Sequence, residues 1–260
     1  MGLGGKLIQA VRRKRFFSKG PGNFYAGVYP TFDEARKAIP PRHTEGYDNE
    51  AAAGFYRERL EKVFPADYPA LFWLQPLIRD GVRIFDFGGH VGLHFYSWRK
   101  LLRLPPSARW IVADVPAVCA AGVAIAREKG ASEQISFTDA GLAASDGADV
   151  LFSGGALQYL EPDVLTKALA AAARPPPHLV LNKIPVVDGD GYFTVQDTGV
   201  FNSAYSIFSR PRLVESLRAL KYELVDGWTC PGLHCTITDS PQQSVAEYSG
   251  FYFKRAGGPP

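Results

Sequence analysis

From Val82 onward, short runs of β-branched and aromatic residues alternate with longer stretches whose apolar positions recur at helical spacing. Pairs of glycines or prolines, such as Gly88-Gly89 and Pro105-Pro106, mark turns between these segments. Strands separated by helices indicate βαβ units and a parallel sheet with right-handed crossovers. The predicted strands are Val82–Phe87, Trp110–Ala113, Ile135–Thr138, Val150–Phe152, Leu179–Leu181, Tyr222–Val225 and Phe251–Phe253. The predicted helices between them are Val91–Leu104, Pro116–Lys129, Pro162–Ala173 and Arg210–Leu220. We therefore predict an α/β, Rossmann-like, doubly wound fold.

Two regions do not follow this alternation. Residues 1–80 are predicted to be a basic arm followed by a helical and loop-rich lead-in, or cap, and residues 81–256 to be the main domain. Within the lead-in, helices are expected at Phe32–Ile39, Glu50–Val63 and Tyr68–Ile78. The stretch Gly189–Tyr205 has no clear period and is long for a loop, which suggests a lid or an insertion on the substrate side.

Composition narrows the class of protein. The chain has 260 residues, of which 46% are hydrophobic, and this suits one globular domain with an appendage rather than a disordered or fibrous protein. A formal net charge of +3 is no signature of nucleic-acid binding. The scattered cysteines, Cys119, Cys230 and Cys235, form no CxxC pair. They favour a reducing compartment, so a cytoplasmic location is expected, and they argue against a zinc site.

The positive charge is concentrated in the segment Lys6–Phe17, where basic residues stand beside apolar ones. Such a segment can contact an anionic membrane or an acidic partner. A solvated basic arm is the simpler interpretation. Neither a secretory signal nor a membrane span is expected, because no sufficiently long apolar stretch accompanies it.

The most informative segment is the turn from Asp86 to Gly92, with the sequence Asp-Phe-Gly-Gly-His-Val-Gly, between the first strand of the alternation and its helix. Glycines such as Gly88, Gly89 and Gly92 let a backbone pass close to a ligand. The dinucleotide pattern GxGxxG and the Walker pattern both fail here. A carboxylate at the strand tip would repel a pyrophosphate, whereas it suits the ammonium group of a methionine-like moiety.

Further acidic residues follow the next two strands. Asp114, with its neighbour Val115, ends the second strand of the alternation, where an acid in doubly wound folds accepts hydrogen bonds from ribose hydroxyls. A helix-capping role for Asp114 is the alternative, since Pro116 follows. Asp139, after the third strand, is a candidate for the adenine amino group or another helix cap.

With these residues in place, the chain resembles the class I S-adenosylmethionine (SAM)-dependent methyltransferases. More narrowly, it is similar to a bacterial family of methyltransferases of unassigned substrate, over about Phe24 to Lys254. The matching stretches are Ala26–Tyr29 with Glu45–Asp48, Phe85–Gly92, Ala148–Tyr159, and Leu181–Pro185 with Gln196.

The resemblance implies a mostly parallel seven-stranded sheet with the last strand antiparallel, and SAM bound at the carboxyl ends of its first, second and fourth strands. In this chain His90 stands where many methyltransferases have a glycine. Residues after the fourth strand usually face the reacting methyl group in this fold, so the resemblance assigns Ser153 and Gly154 to the cofactor site. It makes Gln158 and Tyr159 candidates for catalysis or packing.

Other candidates for the acceptor site follow from chemistry. His90 is the first choice for a general base, because histidine titrates near neutral pH and His90 lies in the turn. A metal on His90 and His94 is disfavoured without an HExxH pattern. Asn182 and Lys183 end the fifth strand of the alternation, a position that often lines the acceptor pocket. Nearby aromatics could wall that pocket: Tyr25, Tyr29, Tyr192, Phe193 and Tyr205.

The leading hypothesis is therefore a SAM-dependent methyltransferase acting on an oxygen or nitrogen of a small polar acceptor. A sugar or glycan precursor rests on family analogy alone. The second hypothesis is a catalytically inactive SAM- or nucleotide-binding interaction module. The third, a nucleotide-dependent oxidoreductase, is disfavoured by Asp86 and the broken glycine pattern.

Overall fold

The computed structural model describes residues 23–39, 60–199 and 201–257. Its strands are β1 (Phe24–Tyr29), β2 (Arg83–Phe87), β3 (Arg109–Ala113), β4 (Ile135–Thr138), β5 (Val150–Gly154), β6 (His178–Ile184), β7 (Val186–Val187), β8 (Tyr192–Asp197), β9 (Asn202–Ser209), β10 (Tyr222–Cys230) and β11 (Tyr248–Arg255). The α-helices are α1 (Phe32–Lys37), α2 (Tyr68–Leu74), α3 (Leu93–Trp98), α4 (Pro116–Glu128), α5 (Val164–Ala171) and α6 (Arg210–Ala219).

The main sheet has seven strands in the order β10-β11-β6-β5-β2-β3-β4. The strands from β4 to β6 in this order pair in parallel, whereas β11 runs antiparallel to both β6 and β10. The chain moves outward from β2 through β3 to β4, then returns to β5 on the other side of β2. The strand order therefore reverses between β2 and β5, which is where ligands bind in doubly wound folds. The predicted mostly parallel sheet is confirmed.

Helices cover both faces of this sheet, because alternate strand residues point to opposite faces. One face carries α2, α3 and α4 over a core that includes Ile84, Trp110, Val112, Phe152 and Val180. The other carries α5 and α6 over Phe85, Leu151, Leu179 and Leu181. The central strands β2, β5 and β6 are buried on both faces, which explains their apolar runs, whereas the edge strand β10 is largely exposed.

A second sheet pairs a strand of the lead-in with strands from residues 186–209. It has the order β1-β8-β9-β7, in which β1 pairs antiparallel with β8 and β8 with β9. The lead-in contains a strand, β1, in addition to its helices, and this strand was not predicted. The stretch Gly189–Tyr205, expected to be a lid or an insertion, contains β8 and the first half of β9. The alternation of apolar residues in these strands is weak because they are buried on both sides.

The helix predictions are mostly confirmed, with shorter bounds. The predicted helix Val91–Leu104 has α-helical form only at α3, and the predicted helix Tyr68–Ile78 is α2 followed by a 3-10 turn at Gln75–Leu77. The basic segment Lys6–Phe17 lies outside the described residues, as does most of the predicted helix Glu50–Val63. Within the described ranges, no helix has the length and apolar character needed to cross a membrane.

Candidate functional site

The predicted site residues meet at the carboxyl edge of the main sheet. The turn after β2 lies against the turn after β5, since a Cβ placed on Gly88 would be 2.1 Å from the Cβ of Ala156. Gly88 also has a φ of +71°, and its N–H donates to the carbonyl of Ala113 at the end of β3. A side chain at this position would be strained and would also separate the two turns. The glycine therefore closes the crevice floor between β2 and β5.

Asp86 occupies a different environment from the one expected. Its side chain is fully buried beneath Gly89, on which a Cβ would lie 2.3 Å from Asp86 Oδ2. Trp110 Nε1 donates to Oδ2 at 3.0 Å, and His94 Nδ1 lies 3.0 Å from the same oxygen. The Asp86 carboxylate is thus not exposed in this structure, where it supports the turn from below. Its predicted role toward an ammonium group stays a prediction.

Asp114, after β3, holds the other side of the turn. Its Oδ2 accepts from the backbone N–H of His90 at 2.9 Å, and its Oδ1 accepts from the N–H of Val115 at 2.8 Å. Burial raises the pKa of Asp114 to about 6, against the lowering effect of the two N–H donors and with a smaller raising contribution from the charge of Asp86. Each carboxylate oxygen keeps a lone pair, so Asp114 can still accept from a diol.

The remaining predicted cofactor residues flank this centre. Val115 is half-buried at the start of α4, and Asp139 is exposed after β4, the neighbour of β3. Gly92 has a φ of +92° at the start of α3, where a Cβ would be 2.7 Å from Ile135 Cδ1. The glycine at this position is thus required by backbone and packing.

The residues at the end of β5 and in the turn that follows it are buried or half-buried. Ser153 is buried, and its hydroxyl donates to the carbonyl of Phe87, while Gly154 lies close to His94. Gln158 is 4% exposed and donates through Nε2 to the carbonyl of Gly155 at 2.8 Å. Its Oε1 has no hydrogen-bond partner among the described residues. The half-buried Tyr159 donates to Gln196 Oε1 at 2.9 Å.

Asn182 has the contacts of a structural residue. It is fully buried, and its Nδ2 donates to the carbonyl of Ala66 at 2.9 Å. Its Oδ1 accepts from Trp228 Nε1 at 2.9 Å and from the thiol of Cys230 at 3.2 Å. A substrate could reach this amide only by displacing these partners. In the structure Asn182 joins the lead-in, β6 and β10, and its expected catalytic role stays a prediction.

His90, in the glycine turn, and His94, in α3, differ in role. His90 is buried in a left-handed conformation with a φ of +55°, and its backbone N–H donates to the Asp114 carboxylate. His94 is paired with Asp86 and packs against the rings of Trp98 and Phe152. In the described ranges, no cluster of three or more His, Cys, Asp or Glu residues could hold a metal ion.

Two features were not foreseen. The ammonium of Lys183 lies 2.6 Å from Oδ1 of the buried Asp67, which comes from the lead-in. In addition, a hydrogen-bonded network runs from Tyr159 through Gln196 to Tyr25, then to Tyr248 and Tyr205. Burial raises the pKa of Tyr25, and those of Tyr205 and Tyr248 further, so these three tyrosines stay protonated. The available signal was that β8 carries three polar residues, Thr194, Gln196 and Asp197, among its apolar ones.

The fold is that of the class I SAM-dependent methyltransferases. A 1,6-didemethyltoxoflavin-N1-methyltransferase from Burkholderia thailandensis, solved with S-adenosylhomocysteine, has a TM-score of 0.51 and 21% identity over 74% of this chain and 78% of that one. The CcbJ methyltransferase from Streptomyces caelestis has a TM-score of 0.55 and 10% identity over 82% and 99% of the two chains.

The same fold also occurs in a protein described by another activity. The [4+2]-cyclase SpnF has a TM-score of 0.51 and 15% identity, covering 90% of this chain and all of that one (100%). No protein-family model matches the chain, and no curated protein matches it. These likenesses establish the fold, while the narrower family resemblance stays a prediction.

Proposed function

We propose that this protein is a SAM-dependent methyltransferase that transfers a methyl group to an oxygen or nitrogen of a small acceptor. The observation that carries the proposal is the arrangement at the β2–β5 crevice. There the glycine turn, the Asp114 carboxylate and the loop after β5 meet at the edge where doubly wound folds bind nucleosides. The S-adenosylhomocysteine bound to the Burkholderia thailandensis enzyme supports the choice of SAM.

Asp114 is the residue proposed for the ribose. Its carboxylate is fixed by two backbone N–H groups, so it is already oriented before a ligand arrives. The two ribose hydroxyls of SAM could donate to the free lone pairs of its oxygens. Val115 and Asp139 would then lie nearer the adenine ring, and the glycine turn nearer the methionine part of SAM. Dinucleotide-binding enzymes also have an acidic residue at this position. Asp114 therefore does not by itself distinguish a SAM site from an NAD site.

Methyl transfer from a sulfonium to a nucleophile is an in-line displacement, which depends on alignment and on exclusion of water. The acceptor atom forms a bond to the methyl carbon while the carbon–sulfur bond breaks toward sulfur. The chain's contribution is the packed wall of the crevice, formed by Ser153, Gly154 and the loop that carries Gln158. A base is needed only for an acceptor that must lose its proton first.

The test is isothermal titration calorimetry with SAM, S-adenosylhomocysteine and NAD, followed by mass-spectrometric detection of S-adenosylhomocysteine formed with a panel of acceptors. The proposal expects binding of both sulfur nucleosides, no binding of NAD, and turnover with at least one acceptor. Binding without turnover would favour the inactive module, and a preference for NAD would exclude the methyltransferase.

A further inference from the structure

Lys183 stands at an irregular position in β6. Along the pairing of β6 with β11, Ile184 is opposite Ser249 and Leu181 is opposite Phe251, so Asn182 and Lys183 together face one residue of β11. This is a β-bulge, and Lys183 has a left-handed φ of +60° within it. Such a conformation is costly for a residue with a side chain, and bulges of this kind redirect side chains next to functional sites.

The redirected side chain is held at the carboxyl edge of the sheet. Lys183 Nζ lies 2.6 Å from Asp67 Oδ1, and the lysine side chain is 19% exposed while that of Asp67 is 3% exposed. The second oxygen of Asp67 accepts from the backbone N–H of Phe64 at 2.9 Å. Since an ammonium group has three donors, Lys183 keeps donors for another partner on its exposed side.

A second polar group lies on the same turn. A Cβ placed on Gly155 would be 3.6 Å from Gln158 Nε2 and 3.6 Å from Lys183 Cβ, so both side chains lie against Gly155. Gln158 is buried, and its Oε1 has no hydrogen-bond partner in the described part of the chain. An unpaired buried carbonyl costs about 1–3 kcal/mol, which a ligand that donates a hydrogen bond would recover.

We propose that Lys183 and Gln158 form the acceptor-recognition site. The acceptor carries an acidic oxygen that binds the Lys183 ammonium and, beside it, an O–H or N–H that donates to Gln158 Oε1. Asp67 is a positioning residue that keeps the ammonium at this edge. The inference rests on the proposed methyltransferase function and deepens it, because it names the acceptor as an oxyanion-bearing alcohol, phenol or amine.

The test uses the full chain saturated with S-adenosylhomocysteine and two pairs of probes. 3-Hydroxybenzoate and 4-hydroxybenzoate are each compared with their neutral amides by ligand-observed NMR. We expect at least one benzoate to bind about tenfold more tightly than its amide, which is the effect of one charge-assisted contact. In Lys183→Met this preference should disappear. In Gln158→Leu both members of the pair should bind more weakly.

The controls separate recognition from folding. Lys183→Met leaves Asp67 buried without a cationic partner, so the double variant Lys183→Met/Asp67→Leu removes both charges and should also bind acid and amide equally. Lys167→Met removes an exposed lysine that lies 2.6 Å from Asp163, and it should keep the preference for the acid. Equal binding of acid and amide to the unaltered chain, binding of neither, or a preference that survives in the double variant would overturn the inference. Calorimetry with S-adenosylhomocysteine on the same samples distinguishes that failure from failure of the proposed function.

Discussion

The pKa of Asp114 leads to a pH dependence of cofactor binding. Burial raises this pKa to about 6 from an ordinary value of 3.8. The carboxylate is therefore about 90% ionised at pH 7 and about 10% ionised at pH 5. If ribose hydroxyls donate to the ionised form, the affinity for S-adenosylhomocysteine should fall about tenfold between these two pH values, or about 1.4 kcal/mol. Binding should release protons near pH 6.

The sign for stability is the opposite of the usual carboxylate case. Because the folded-state pKa is raised, the folded protein binds the proton more tightly than the unfolded chain. The contribution of Asp114 to stability in the ligand-free protein is therefore fully present below about pH 4 and is lost as the pH rises through about 6. Ligand binding and ligand-free stability should thus respond to pH in opposite directions over this window.

Calorimetry from pH 5 to pH 7.5 on the unaltered chain and on Asp114→Asn measures this effect. The variant should bind more weakly at pH 7, by about 1–3 kcal/mol, and should lack the decline below pH 6. All other ionisable groups are the same in both proteins, so the difference between the two curves isolates Asp114. An identical pH dependence in the variant, or affinity that rises toward pH 5 in the unaltered chain, would refute the ribose assignment.

Three substitutions test the rest of the site. Gly89→Ala should abolish most S-adenosylhomocysteine binding, since its Cβ would lie 2.3 Å from the Asp86 carboxylate, whereas Gly189→Ala has open space and should bind normally by calorimetry. Asp86→Asn should lower the free energy of unfolding by about 1–3 kcal/mol, because its contacts to His94 and Trp110 change. The affinity of the folded protein for S-adenosylhomocysteine should change less than about twofold. A large loss of affinity at unchanged stability would mean that the carboxylate reaches the cofactor. Asn182→Leu should cost about 2–4 kcal/mol in urea unfolding, because it removes partners from Ala66, Trp228 and Cys230, and unchanged stability would contradict its structural role.

The main sheet was predictable because most of its strands are short apolar runs, each followed by a helix or a turn residue. The pairing of β1 with β8 was not predictable from local pattern. Tyr25 and its partner Gln196 are far apart in the chain, and only tertiary packing brings them together. The helical and loop-rich description of the lead-in left out β1 for this reason.

The candidate site was predictable in position but less so in detail. The glycine turn and Asp114 lie together as the strand ends require. The orientation of Asp86 was missed, because alternation along β2 points its side chain to the face that contains Trp110 and His94. Strand-end position suggested Asn182 and Lys183 equally, but the bulge and the distant Asp67 decide which of them can meet a ligand.

The central claim is tested most directly by a crystal structure of the protein with S-adenosylhomocysteine. The account predicts the nucleoside in the β2–β5 crevice, with both ribose hydroxyls within hydrogen-bonding distance of the Asp114 carboxylate and the sulfur facing the loop that carries Gln158. A crevice left empty at saturating ligand, or a nucleoside whose ribose lies away from Asp114, would contradict it.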